Sequence, residues 1–183
     1  MFDNDDDKDF ESTYDRVHKM PLYQKGAEIL DIVRCIADLI DDEDGELGFA
    51  KRLMLEDAYM LTAKIANAEG GDMYGIRMEN AAIIRKAGNN LKLHLHTLRM
   101  FGFEHADYYL MVRQKVEEYR LLFIDWVASF DQSNYFIDNW GLFNPPGVTL
   151  PPDAYEVETI DLDNNDTPDW VNGFFDEDED DDE

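Results

Sequence analysis

The sequence predicts an all-α protein, an antiparallel up-and-down four-helix bundle with disordered acidic termini. Apolar residues recur at alternating gaps of three and four along four segments. Clusters of glycine and aspartate separate those segments, and most of the charge sits at the two ends of the chain.

The charge sets the domain limits. The chain has 183 residues, 42 acidic against 16 basic, for a net charge of −26 beside a hydrophobic content of 44%. That length suits one domain, and the apolar share is enough for a core. Residues 1–11 carry six acids and one Lys, residues 144–183 carry 15 acids and no Lys or Arg, and the stretch between has a net charge of only −6. The expected division is an acidic N-terminal arm over 1–18, a bundle with an aromatic C-terminal cap over 19–143, and a proline-containing linker with an acidic tail over 144–183. Pro145, Pro146, Pro151 and Pro152 favour extended chain, and the run from Asp176 to Glu183 repels itself, so disorder is expected from about Val148. The N-terminus lacks an apolar signal region, and no apolar run approaches the roughly 18–20 residues needed to span a bilayer. Cys35 is the only cysteine, which excludes an internal disulfide and suits a reducing compartment. The expectation is a soluble cytoplasmic protein without a membrane association.

The first segment, Leu22 to Ile40, places Leu22, Gly26, Ile29, Val33, Ile36 and Ile40 on one helical face. Asp41 to Gly45 interrupts it. The second runs from about Glu46 to Ala68, with Leu47, Ala50, Met54, Ala58, Leu61, Ile65 and Ala68 in one stripe. Gly70 and Gly71 are expected to stop it in the left-handed conformation, with Asp72 capping the next helix. The third, about Met73 to Met100, puts Ile76, Ile83, Ala87, Leu91 and Leu98 inward, interrupted by Asn80 and His94; Gly102 ends it. The fourth, about His105 to Phe130, carries Tyr109, Val112, Val116, Tyr119, Phe123, Trp126 and Phe130, a seam held for more than three heptads. Residues 134–143 are aromatic without helical period and are expected to cap the bundle or lie across two helices.

The stretch from Leu55 to Asp131 resembles an uncharacterised bacterial family of four-helix-bundle proteins. The residues that carry the likeness run from Ala63 to Asp72, from Ile76 to Asn80 and from Glu117 to Phe123. That family is distantly similar to the accessory variability determinants of diversity-generating retroelements and to proteins encoded in 23S ribosomal RNA intervening sequences. The resemblance implies an up-and-down bundle, ring-like homo-oligomers, and a non-catalytic accessory that binds a reverse transcriptase and its RNA through basic surfaces. The acidic charge of this chain argues against direct nucleic-acid binding.

The third segment is locally basic, and Arg77, Arg85, Lys86, Lys92 and Arg99 form a candidate ridge for an anionic partner; the plain reading is pairing with acids on neighbouring helices. Glu69, Asp72, Arg77, Glu79 and Asn80 either line a site or fix helix register. His94 and His96 lie about 200° apart around a helix, and no histidine follows a glutamate by three, so neither metal nor cofactor is expected. Cys35 reads as packing. Arg99 and His105 have the Arg-x5-His spacing that resembles HEPN ribonucleases, in which a paired Arg and His act on RNA at a dimer interface. Trp170, Phe174 and Phe175 precede the terminal acidic run, a composition suited to docking on a basic cleft. The function expected is a non-enzymatic accessory or scaffold. It self-associates, through apolar positions such as Met111, Leu122 and Val127, and offers its tail to a basic protein. The alternatives are a HEPN-like ribonuclease and an acidic nucleic-acid mimic.

Overall fold

The structure is a computed structural model that describes residues 12–41 and 45–155. It is all-helical there, with no strand among the described residues. The chain divides into two units, Met1–Thr149 and Leu150–Glu183. In the second, the described residues include a 3-10 helix at Pro152–Tyr155, where the sequence suggested disorder. Trp170, Phe174, Phe175 and the acidic run lie outside the described residues.

Among its described residues the first unit has five α-helices: α1 Thr13–Lys19, α2 Pro21–Ala37, α3 Glu46–Glu69, α4 Tyr74–Met100 and α5 Tyr109–Ala128. All of helix α1 but Lys19 falls inside the stretch expected to be an arm. Ser12 caps it by accepting from the Asp15 N–H at 3.1 Å, and Val17 is buried. His18 is held between the rings of Tyr14 and Tyr23, with its Nε2 3.0 Å from the Tyr23 hydroxyl. Pro21 then starts α2, where its missing N–H has no helical partner to lose.

Helices α2, α3 and α5 bury the stripes that the sequence predicts, apart from Leu47 and Phe123, which are partly buried against the core. Helix α4 buries Ala87, Leu91 and Leu98 of its predicted stripe together with Asn80 and His94, and Ile83 is partly buried; Ile76 is the exception, exposed to solvent. Tyr74, Ala81, Ile84 and Leu95 complete the buried face. The heptad seam 74, 77, 81, 84, 88, 91, 95, 98 thus includes Arg77 and Gly88, neither of which a hydrophobic pattern can register. Gly70 does not adopt the left-handed conformation, and Asp72 does not cap α4; that position is Met73, with no side-chain bond. The Tyr74 N–H donates instead to the Asn134 carbonyl at 2.8 Å. Gly102, at φ +73°, ends α4. Its N–H reaches the Arg99 carbonyl and that of Phe103 reaches Leu98, a Schellman arrangement closed by two buried side chains. A 3-10 turn, Ala106–Tyr108, precedes α5.

Helix α2 packs on α3 and α5, α4 packs on α3 and α5, and α1 lies on α2 and α3. Two glycines sit in this packing for different reasons. A Cβ on Gly26 would lie 3.0 Å from Thr62 Cγ2 and 3.3 Å from the Leu61 carbonyl oxygen, so a side chain there would force its neighbours on α3 to shift. At Gly88 the nearest atom, Val116 Cγ1, would be 3.9 Å away, an ordinary contact. Helix propensity favours alanine over glycine by about 1 kcal/mol at either position. Gly88→Ala is therefore expected to stabilise by about 0.5–1 kcal/mol, whereas crowding reverses the sign at Gly26→Ala, for a loss of about 1 kcal/mol. Urea unfolding of the two variants checks this, and equal gains would contradict the packing at Gly26.

Candidate functional site

The residues singled out from the sequence separate into structural and surface roles. Arg77 lies in a nearly enclosed cluster. Its guanidinium pairs with Glu69, whose side chain is 7% exposed, and stacks over the Phe130 ring at 4.5 Å. Trp126 Nε1 donates to Glu69 Oε1 at 2.9 Å, and Arg16 approaches Glu69 Oε2 at 3.5 Å and its carbonyl at 3.2 Å. One carboxylate thereby ties together α1, α3, α4 and α5, which is the register-fixing reading of that polar group.

The remaining basic residues do not form a single ridge. Lys92 pairs with Glu117, and Arg99 donates to Asp107 at 2.7 Å. Among the described residues Arg85 and Lys86 have no carboxylate in ion-pairing range. They line different hollows. Lys86 borders a cleft of about 460 Å³ between α3 and α4. Arg85 joins Lys92 and Arg120 along a groove of about 260 Å³ between α4 and α5. Arg99 and His105 are not joined either: among the described residues no hydrogen bond links them, and His105 stacks on Tyr108 with rings 5.5 Å apart. Cys35 is exposed, contrary to the packing role expected of it.

The α3–α4 cleft holds a polar group that local sequence patterns do not reveal. Asp57 accepts from Asn90 Nδ2 at 3.0 Å and lies 2.8 Å from His94 Nε2. The Tyr109 hydroxyl is buried without a partner among the described residues. Burial, reinforced by the Asp57 charge, pushes its pKa upward, so it stays protonated. The walls include Leu53, Met60, Ile83 and Leu93, and both outer leucines are exposed. His96 faces out, opposite His94, as the helical spacing predicts.

The most distinctive surface is the segment that follows α5. Asp138 Oδ1 accepts from the Trp140 N–H, and Oδ2 accepts from those of Leu142 and Phe143, at 2.9–3.0 Å. Its own N–H donates to Asn144 Oδ1 at 2.8 Å, while Asn144 Nδ2 returns a bond to the Asp138 carbonyl. The backbone bonds to its carboxylate, led by that from Phe143 and then that from Trp140, hold the Asp138 carboxyl below its usual pKa. Gly141 supplies the left-handed residue at φ +72°. The loop is anchored through Asn134 to the start of α4. Its most exposed side chains do not cap the core: Phe136 and Trp140 are 78% and 87% exposed, and Leu142 beside them is 71% exposed.

Compared with known proteins, the chain matches no family model, and neither a curated protein nor a solved structure is detectably similar to it. Among the described residues no helix is long and apolar enough to cross a membrane.

Charge pairing on the α4–α5 side predicts an acid response. Bonds from Lys92 and then Arg120 hold the Glu117 carboxyl at about 2, against an ordinary value of 4.5. Because the folded value is the lower one, this contribution is complete above about pH 4.5 and is lost as the pH falls toward 2. In Glu117→Gln the fall of Tm over that window is expected to be shallower than in wild type; superimposable acid limbs would contradict it.

Proposed function

We propose that this chain is a non-enzymatic interaction module, an antiparallel up-and-down four-helix bundle that offers an aromatic loop and acidic tails to a basic protein partner. The four long helices and the short links after α3 and α4 support antiparallel neighbours. The single observation that carries the functional reading is the Asp138-braced loop. Large apolar side chains are normally withdrawn from water, and here Trp140 and Leu142 stand out from a stretch of backbone whose N–H groups Asp138 already satisfies, with Phe136 exposed beside them. Such a surface binds without first paying to become ordered, and tryptophan is the residue type most enriched at interface hot spots. The net charge of −26 favours a partner whose apolar pocket is rimmed by cations, with attraction at long range steering the encounter.

Self-association belongs to the same proposal. Leu110, Met111, Leu121 and Ile124 are exposed on α5 and could meet a second copy, which would multiply the tails. Leu122 and Val127 pack against the core, so of the three positions expected from sequence only Met111 is available.

The test is capture of proteins on the immobilised full chain, compared with Trp140→Ala/Leu142→Ala and with a chain ending at residue 155. Basic proteins retained by wild type are expected to fall at least tenfold with the loop variant and to weaken without the tail. An unchanged set on the loop variant would remove the proposal. Light scattering that shows only monomer at high concentration would remove the self-association part.

A further inference from the structure

We infer that the groove between α4 and α5 is a binding site for a small organic anion with an aromatic body, in class an aryl carboxylate. Three observations meet there. Arg85, Lys92 and Arg120 line it, and no acidic side chain does. Glu117 engages Lys92 and the Nε of Arg120 from outside the lining, which leaves Arg85 without a carboxylate among the described residues. In a protein of net charge −26, that is a local concentration of positive charge.

The floor is apolar. Ile84, Val116, Phe123 and Ile124 surround it, and the Tyr119 ring lies there with its hydroxyl already committed to the Leu61 carbonyl at 3.0 Å. A body with a flat apolar face and an anionic head matches this pairing of surfaces, with the head meeting guanidinium groups on two helices. The volume of about 260 Å³ is smaller than the roughly 300–1,000 Å³ of sites for drug-sized ligands, and suits one fused pair of rings rather than a nucleotide.

The third observation is Gly88. It occupies a seam position of α4 in the middle of a long helix, where glycine costs stability and a Cβ would fit at 3.9 Å from its nearest neighbour. Packing gives no reason for the missing side chain; an open groove does.

The probe is 2-naphthoate, titrated into the 15N-labelled full chain, with neutral 2-naphthamide as its uncharged twin. Saturable shifts are expected at the amides of Gly88, Asn89, Lys92 and Ile124, with naphthoate binding at least tenfold more tightly than naphthamide. Arg85→Glu should weaken naphthoate at least tenfold, and Gly88→Leu should abolish its binding by filling the groove. Arg85 is exposed, so its variant remains informative even if Gly88→Leu fails to fold. A peptide with the sequence of residues 166–179, added separately, tells whether the aromatic acid can be supplied by polypeptide: displacement of naphthoate assigns that source, and no displacement assigns a free acid. Equal binding of the two naphthalenes, or no shift at these amides, would overturn the inference. Neither result touches the loop proposal, which rests on different residues.

Discussion

Glu69→Ala is expected to cost about 3–5 kcal/mol of unfolding free energy, the range for breaking a buried ion pair by removing one partner. The substitution strands the Arg77 guanidinium, whose side chain is 13% exposed and whose Nε already lacks a partner among the described residues. It also takes the acceptor from Trp126 Nε1 and loosens Arg16 on α1. The size of the loss reflects the charge left behind rather than the worth of the pair. Glu69→Leu combined with Arg77→Met should therefore recover much of it, a coupling that a double-mutant cycle in urea measures directly. A loss below about 1 kcal/mol for Glu69→Ala would mean that water reaches this cluster.

Leu91→Ala and Leu93→Ala form the second expected contrast. The two residues lie two positions apart on α4, and the first is fully buried while the second is 64% exposed. Truncating a buried leucine removes its transfer energy and leaves a cavity, for about 2–5 kcal/mol; an exposed position changes stability by about 0.5 kcal/mol or less. Leu93 was outside the stripe read from sequence and Leu91 inside it, so the pair tests the part of the α4 reading that the structure retains. Similar losses at both sites would contradict the orientation of α4.

The readable parts of this fold are those whose inner faces are chemically uniform. Every seam position of α5 from Tyr109 to Trp126 is apolar or aromatic, as is Phe130 just past its end, and periodicity alone locates them. On α4 the pattern locates Ala87, Leu91 and Leu98 but not Tyr74, Ala81, Ile84 and Leu95, because Arg77 and Gly88 hold two positions of that second row and Ile76 stands in solvent. Helix α1 was missed because seven residues with one buried side chain carry no period. Asp57 escaped notice for a different reason: its partners Asn90 and His94 stand on another helix, and only tertiary packing brings them together. The aromatic composition of residues 134–143 suggests burial, and the structure turns Phe136 and Trp140 outward together with Leu142. The signal available there was Asp138 followed closely by Gly141, since a short carboxylate before a left-handed glycine can gather successive N–H groups into a turn.

The functional account depends on that turn being formed before any partner arrives. Native-state hydrogen exchange of the Trp140, Leu142 and Phe143 amides, in wild type and in Asp138→Ala, tests this most directly. Protected amides in wild type that exchange freely in the variant are the predicted result. Free exchange in wild type would show a loop without standing order, and the account would fail with it.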